Sequence, residues 1–130
     1  MTVVVDASVV AELLLGTERG FVAAPLLRDQ PLIAPPHLEA EVASVIRGWS
    51  LGGHITDPEA LQAFREFEQL GVEQIEMMSL LPEVWALRHN LTAYDAMYVV
   101  LARAVGCEVL TFDERMTAVA PDCAVVPQSA

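Results

Sequence analysis

The amino-acid sequence predicts an α/β fold, a three-layer sandwich in which a short, mainly parallel sheet is flanked by helices. Two observations predict it. Short β-branched segments alternate along the chain with segments of helical period, which is typical of a parallel sheet covered on both faces. The chain has 130 residues, of which 54% are hydrophobic and 19% charged, and this composition excludes a disordered tail. We therefore predict a single domain over residues 1–130, with enough apolar surface to favour self-association.

The first half of the chain contains two predicted strands and four predicted helices. Gly16 ends the first helix, and Gly52-Gly53 ends the third. In the fourth helix we expect four apolar side chains to face inward, namely Leu61, Phe64, Phe67 and Leu70. The predicted elements are a strand at residues 3–5, helices at 7–15 and from 17 onwards, a strand at 32–34, and helices at 37–51 and from 56 onwards.

The second half is predicted to surround one apolar helix. Residues 92–105 are apolar nearly all round, as expected for a helix packed on both sides, so we place this helix at the centre of the fold. Residues 79–89 also have helical spacing, with Leu80, Val84 and Leu87 expected to be buried. The other predicted elements are a weak strand at 72–75, a strand at 108–111, a short helix at 114–120 and a last strand at 124–126.

The charge of the chain restricts the ways in which it could bind a polyanion. Its formal net charge is −11, and all seven basic residues are arginines. Proteins that bind nucleic acid usually present a basic face, because contacts to phosphates supply much of their affinity. If this chain acts on a polyanion, bound cations, a few arginines or a partner must compensate its negative charge.

Several other classes of site and location are disfavoured. No apolar run is long enough to span a bilayer and the N-terminal residues lack the basic flank of a signal peptide, so we expect a cytoplasmic protein. Cys107 and Cys123 lack metal-binding or redox spacing, and we expect both to be buried free thiols. The three histidines lie in no metal-ligand spacing, so we expect ordinary surface or capping roles for them, namely for His37, His54 and His89.

Two aspartates directly follow predicted strands. Asp6 ends the first strand, and Asp113 lies just beyond the strand at 108–111. In an open α/β sheet, ligands bind outside the carboxyl ends of the strands, which makes both residues candidates for a binding site. The alternative is structural, because aspartate is a favoured N-cap and each precedes a predicted helix.

Two further acids occupy apolar surroundings. Asp95 follows Thr92 with the spacing of a capping box, but it begins a helix with little solvent-facing surface, where a carboxylate requires a cation or hydrogen-bond donors. Glu41 lies one turn after Leu38, against the apolar stripe of its helix, whereas Glu39 is expected to be solvated.

Taken together, the four acids predict a metal site. Asp6, Glu41, Asp95 and Asp113 would repel one another if gathered without compensation, and the chain has no lysine to supply it. An oxygen-only set of ligands suits Mg²⁺ or Mn²⁺ better than zinc. We therefore predict that these acids converge on one pocket that binds a divalent ion and cuts a phosphodiester backbone.

Four motifs resemble those of the PIN-domain ribonucleases, specifically the VapC toxins of bacterial toxin–antitoxin pairs. Together they cover essentially the whole chain, and they are VVDASVV (residues 4–10), EVASVIR (41–47), LTAYDAMYVVLA (91–102) and LTFDER (110–115). The resemblance implies a PIN-like fold and a Mg²⁺-dependent endoribonuclease that cleaves RNA with metal-activated water. It assigns Asp6, Glu41, Asp95 and Asp113 as the catalytic metal-binding acids.

The resemblance also implies neighbouring residues and partners. Ser8 and Thr111 would line the same pocket, and the partners would be an RNA substrate, a second copy of the chain and a VapB-like antitoxin. Arg47 and Arg115 are candidate RNA contacts, with an ordinary surface position as the alternative for each. A receiver domain or an aspartate phosphatase would need a lysine, which the chain lacks. A PIN-like binding module without catalysis remains the second interpretation.

Overall fold

A computed structural model, which describes residues 1–129, has a five-stranded parallel sheet at its centre. The strand order is β3-β2-β1-β4-β5, and every neighbouring pair is parallel. The strands are β1 (Val3–Val5), β2 (Leu32–Ala34), β3 (Glu73–Gln74), β4 (Glu108–Leu110) and β5 (Ala124–Val125). The central strand β1 pairs Val3 with Leu32 on one side and with Glu108 on the other. The predicted α/β fold is confirmed.

Helices connect the strands and cover the sheet. They are α1 (Ala7–Leu15), α2 (Glu18–Leu27), α3 (Leu38–Leu51), α4 (Asp57–Leu70), α5 (Leu81–Ala86), α6 (Ala93–Val105) and α7 (Glu114–Val119). Three of these helices begin directly after a threonine that caps them. The side-chain oxygen accepts a hydrogen bond from the backbone of the helix at Thr17, Thr56 and Thr92. The longest helices, α3 and α4, have 14 residues each, and no helix within residues 1–129 is long and apolar enough to cross a membrane.

Helix α6 has the longest run of consecutive buried residues among the helices within residues 1–129, although both of its ends are exposed. The five consecutive residues Tyr98–Ala102 are all buried, and α6 packs against both β1 and β4. A run of this length is buried only when neighbours cover the helix on more than one side. Of the two free cysteines, Cys123 is buried as predicted, whereas Cys107 is only partly covered.

The predicted helix at residues 79–89 is wrong in its extent. A single turn of 3-10 helix at Met78–Leu80 leads into α5, which ends at Ala86. Pro82 lies at the start of α5, and its missing backbone N–H prevents a regular helix from continuing through this point. Val84 is buried as expected, while Leu80 and Leu87 are only partly buried.

The predicted inward face of α4 is also wrong in part. Leu61 is 57% exposed and Phe64 is 37% exposed, whereas Ala63 is the buried residue of this helix. Phe67 and Leu70 pack partly buried against the core. Helix α4 packs on α1 and α3, and the small side chain of Ala63 lies at the contact, so larger apolar residues flank it.

Gly20 allows α1 and α2 to pack closely. A Cβ atom added at Gly20 would lie 2.2 Å from the carbonyl oxygen of Glu12 and 3.0 Å from the Cα of Leu13. Both atoms belong to the backbone of α1, so they can move only if the two helices separate.

We expect Gly20→Ala to lower the free energy of unfolding by about 1–3 kcal/mol, because the added methyl group forces α1 and α2 apart. Urea denaturation measures this change. The control is Gly48→Ala in α3, where an added Cβ meets no atom within 4 Å. That variant should gain up to about 1 kcal/mol from helix propensity. Equal stability of the two variants would contradict the close packing of α1 on α2.

Candidate active site

Asp6 and Asp113 lie at the same edge of the sheet, as their positions after β1 and β4 predict. The two strands are neighbours, and the backbone N–H of Asp6 donates to the carbonyl oxygen of Leu110 at 3.3 Å. This is the carboxyl edge of the parallel sheet, where open α/β folds bind ligands.

The carboxylate of Asp6 is buried and accepts three hydrogen bonds. Its Oδ1 accepts from the hydroxyl of Ser8 at 2.7 Å and from the backbone N–H of Val9 at 3.1 Å, while Oδ2 accepts from the hydroxyl of Thr111. Burial nevertheless raises the pKa of Asp6 from 3.8 to about 6, although these hydrogen bonds lower it. The burial cost of the charged form therefore exceeds what the donors recover.

Backbone groups orient the two hydroxyls that bind Asp6. The N–H of Phe112 donates to the oxygen of Ser8 at 2.9 Å, and the N–H of Asp113 donates to the oxygen of Thr111 at 2.9 Å. Because each hydroxyl oxygen already accepts a hydrogen bond, its proton is directed toward Asp6. Ser8 and Thr111 thus connect the β1–α1 turn to the β4–α7 turn.

Asp113 caps α7 while it faces the other acids. Its Oδ1 accepts from the backbone N–H of Arg115 at 2.9 Å, so the N-cap interpretation holds. The negative charge of Asp113 also raises the pKa of Asp6 and of Asp95. Asp113 is partly exposed, and its capping bond leaves acceptor positions on the other oxygen.

Asp95 lies in the first turn of α6 and is partly buried. Its backbone N–H donates to the Thr92 side chain at 3.2 Å, which is half of the capping interaction expected from the sequence. Burial raises the pKa of Asp95, and the charges of Asp113 and Glu41 raise it further. The charge of Arg115 acts in the opposite direction, which places this arginine near the acids.

Glu41 is held by two aromatic residues that the sequence did not indicate. The hydroxyl of Tyr98 donates to Oε1 of Glu41 at 2.6 Å, and Nε2 of His37 lies 3.4 Å from the same oxygen. The ring of His37 also packs 5.0 Å from the ring of Tyr98. Burial, followed by the bond to Glu41, raises the pKa of Tyr98, so the phenol stays protonated and donates.

The expected surface or capping role of His37 is wrong. His37 occupies the N-cap of α3 but makes no capping hydrogen bond, and its side chain is only 16% exposed. Its Nε2 lies 3.0 Å from the backbone carbonyl oxygen of Tyr94. His37 therefore connects α3 to the first turn of α6, next to Glu41.

The four acids lie at the starts of α1, α3, α6 and α7. The negative charge of Asp113 raises the pKa of both Asp6 and Asp95, and the negative charge of Glu41 also raises the pKa of Asp95. Across residues 1–129, however, no group of three or more His, Cys, Asp or Glu side chains is placed to hold a metal ion. The oxygen-only set of donors fits a hard divalent cation.

Two surface depressions flank this row of acids. One, of about 450 Å³, is lined by Glu41, Ser44 and Tyr94 among others. The other, of about 750 Å³, is lined by Asp113, Arg115 and Arg19 among others. Of the predicted RNA contacts, Arg115 thus lies beside the acids, whereas Arg47 is exposed on α3 and lines neither depression.

The fold and the site together define a small parallel α/β protein with acids at the carboxyl edge of its sheet. The sequence model of the PIN domain matches residues 3–121. The chain belongs to the PIN-domain family, which confirms the resemblance found in its motifs.

Two ribonucleases are similar in sequence to most of this chain. Ribonuclease VapC9 of Mycobacterium tuberculosis (strain H37Rv) is 34% identical over 115 residues, which cover 88% of each chain. Ribonuclease VapC3 of the same strain is 36% identical over 115 residues, covering 88% of this chain and 84% of the relative. These proteins support a place among the VapC ribonucleases within the PIN-domain family.

Solved structures share the fold. The crystal structure of PAE2754 from Pyrobaculum aerophilum superposes with a TM-score of 0.71 at 19% identity, covering 95% of this chain and 83% of that one. Mycobacterium tuberculosis VapC20, described as a sarcin-ricin loop cleaving toxin, superposes with a TM-score of 0.64 at 20% identity, covering 90% and 94%.

The raised pKa of Asp6 predicts how stability depends on pH in metal-free protein. The folded state holds the proton of Asp6 more tightly than the unfolded state, so the free energy of unfolding falls as pH rises from 3.8 through about 6. The contribution amounts to about 3 kcal/mol by pH 7. Asp6→Asn should therefore raise the free energy of unfolding at pH 7.5 by about 1–3 kcal/mol in EDTA, with a smaller gain at pH 5.

Urea denaturation at the two pH values measures this effect. The matched control is Asp29→Asn, which removes one exposed negative charge at a residue with a positive φ of 60°, a conformation that asparagine tolerates. A stability change in Asp6→Asn that is the same at both pH values would show that burial of its charge is not what destabilises the folded protein.

Proposed function

We propose that this protein is an endoribonuclease that requires a divalent metal ion and acts as the toxin of a toxin–antitoxin pair. The observation that carries the proposal is the buried carboxylate of Asp6, held by Ser8 and Thr111 at the sheet edge beside other acids. A structural role alone does not require so costly a charge, because a neutral asparagine could also cap α1. The ribonuclease names of the relatives give the reaction class.

In this proposal Asp6, Glu41, Asp95 and Asp113 hold Mg²⁺ or Mn²⁺ as catalytic residues. The support is their oxygen chemistry, the raised pKa values of Asp6 and Asp95, and the absence of lysine from the sequence. When bound, a divalent cation neutralises charge on the phosphate and lowers the pKa of a nearby water molecule.

The chain's own residues would fix this arrangement. Ser8 and Thr111 orient Asp6, and Tyr98 orients Glu41, so that the carboxylates keep their positions as substrate enters. Arg115, next to Asp113 and Asp95, would contact a phosphate of the RNA. Arg47 is exposed on α3 and lines neither depression, so its position does not support a contact with RNA.

We also propose the partners and setting that the family resemblance implies. A VapB-like antitoxin would cover the acids with an arginine or lysine, which suits a chain of net charge −11. Exposed apolar side chains near α5, such as Met78 at 70% and Trp85 at 65%, suit a homodimer or the antitoxin interface. We place the protein in the cytoplasm, as one domain over residues 1–130.

A second candidate function is a PIN-like binding module without catalysis. It is favoured by one observation, namely that large apolar side chains such as Met78 at 70% and Trp85 at 65% are exposed and suit a protein partner. The two functions differ in their response to removal of the acids, and the following measurement separates them.

Asp95→Asn or Asp6→Asn should abolish Mg²⁺-dependent cleavage of RNA, a loss of about 100-fold or more, because each removes charge needed to hold the cation. Cleavage of total RNA by purified protein, with EDTA as a blank, measures the effect. Glu39→Gln is the control, since Glu39 is exposed on α3 and its side chain contacts Gln74, away from the acids. Wild-type protein that binds its antitoxin but cleaves no RNA with Mg²⁺ or Mn²⁺ would favour the binding module.

Tyr98→Phe should reduce cleavage roughly tenfold, because Glu41 loses the hydrogen bond that orients it. The loss should appear mainly as a higher Mg²⁺ concentration for half-maximal activity, so that excess Mg²⁺ restores the rate. In Asp95→Asn excess Mg²⁺ should restore nothing. A Tyr98→Phe protein with an unchanged Mg²⁺ dependence would remove Tyr98 from the site.

A further inference from the structure

The seven arginines of this acidic chain are not equally available to a polyanion. Arg103 forms a two-pronged pair with Asp122 at 2.8 and 2.9 Å, and Arg88 stacks on the Trp85 ring at 4.8 Å. Arg19 and Arg115, by contrast, line the 750 Å³ depression that also contains Asp113. The sequence indicated Arg115 but gave no reason to single out Arg19.

Arg19 is held in a defined position although its side chain is 54% exposed. Its guanidinium lies over the ring of Phe112, with the Cζ atom 4.1 Å from the ring centre. Nη2 donates to the backbone carbonyl oxygen of Phe112 at 3.4 Å, and Nη1 lies 3.8 Å from Oε1 of Glu12. Glu12 is itself fixed by the hydroxyl of Thr17 at 2.6 Å.

The position of Arg19 is tied to that of Asp6 through Phe112. The backbone N–H of Phe112 donates to Ser8, and the hydroxyl of Ser8 donates to Asp6. The carbonyl of the same residue receives Arg19, so one peptide segment orients both the buried acid and the exposed arginine. An arginine with a purely structural role would not need to stay exposed to solvent. Arg19 is half-exposed, and it lines the depression that also contains Asp113.

The guanidinium retains hydrogen-bond donors for a ligand. It has five N–H groups, and the contacts to Phe112 and Glu12 are a single hydrogen bond and a long ion pair. Stacking on an aromatic ring fixes the plane of the guanidinium, which reduces the entropy lost when it binds a phosphate. An RNA strand that reaches the acids must pass negative phosphates near Asp113 and Glu114, where a fixed positive charge is needed.

We propose that Arg19 forms a phosphate-binding subsite, which holds the backbone of single-stranded RNA in the depression between α2 and α7. The inference rests on the proposed ribonuclease function and deepens it, because it names a residue that positions the substrate. Arg19 is a substrate-binding residue: it holds a phosphate of the RNA backbone, and the acids act on the bond that is cleaved.

The test measures binding of a labelled single-stranded RNA oligonucleotide by fluorescence anisotropy across a salt titration. Asp95→Asn serves as the parent protein, with Mg²⁺ present, so that the RNA stays intact. Adding Arg19→Gln should weaken binding roughly tenfold and reduce the slope of log K against log salt by about 0.7, the value for one lost phosphate contact on a single strand. Adding Arg19→Lys should keep the slope and recover part of the affinity, because it keeps the charge but not the planar fork.

The matched control is Arg28→Gln in the same parent. Arg28 is an exposed arginine at the C-terminal end of α2, about 13 Å along the helix axis from Arg19. The Arg28→Gln substitution removes one positive charge, as Arg19→Gln does, but it should leave both the RNA affinity and the salt slope unchanged. If Arg28→Gln lowers the slope as much as Arg19→Gln, general charge accounts for the effect and the subsite is wrong.

Other outcomes separate this inference from the proposed function. Wild-type protein that cleaves no RNA with Mg²⁺ or Mn²⁺ contradicts the ribonuclease function. Wild-type protein that cleaves RNA, combined with an Arg19→Gln variant of unchanged salt slope and unchanged KM, contradicts the subsite alone. A lower melting temperature of Arg19→Gln without a change in slope would assign Arg19 to the stability of the α1–α2 pair.

Discussion

The hydrogen bonds to the buried carboxylate of Asp6 are the interaction on which the rest of the site depends. They connect two turns that are more than 100 residues apart in sequence, since Ser8 follows β1 and Thr111 follows β4. Through them the backbone of Phe112 is fixed, and with it the start of α7 at Asp113 and the position of Arg19. A change in the Asp6 cluster would therefore move the acids and the adjacent depression together.

The same interaction makes the folded state less stable than it could be. A buried carboxylate with a raised pKa is held in its charged form at a cost, and the hydrogen bonds of Ser8, Thr111 and Val9 recover only part of it. Sites that bind charged ligands commonly carry such strain, because the ligand relieves it. In the proposed function, the divalent cation is the group that relieves this cost.

The sequence predicted those parts of the site that follow from chain position. Asp6 and Asp113 could be located because a parallel α/β pattern places the residues after its strands at one edge. The role of Tyr98 could not be predicted, because its hydrogen bond to Glu41 joins residues that are 57 positions apart. A tyrosine within an apolar helix also looks like an ordinary core residue. Arg19 contacts Phe112 across 93 residues, with no local signal. The helical spacing of apolar residues also failed to predict the buried face of α4. It does not show that the small residue Ala63 is the buried one and that the larger apolar residues lie to its sides.

For Asp6 and Asp113, the roles of helix cap and of proposed metal ligand are compatible for a reason that lies in the topology. Asp6 and Asp113 are N-caps of α1 and α7, and Glu41 and Asp95 lie in the first turns of α3 and α6. In a parallel α/β fold the helices that follow the strands begin at the carboxyl edge, so their positive ends meet there. A helix N-terminus favours a nearby negative charge, but at Asp6 and Asp95 burial outweighs this effect and raises the pKa. These acids can therefore begin their helices in the folded chain and, in the proposed function, still hold a divalent cation.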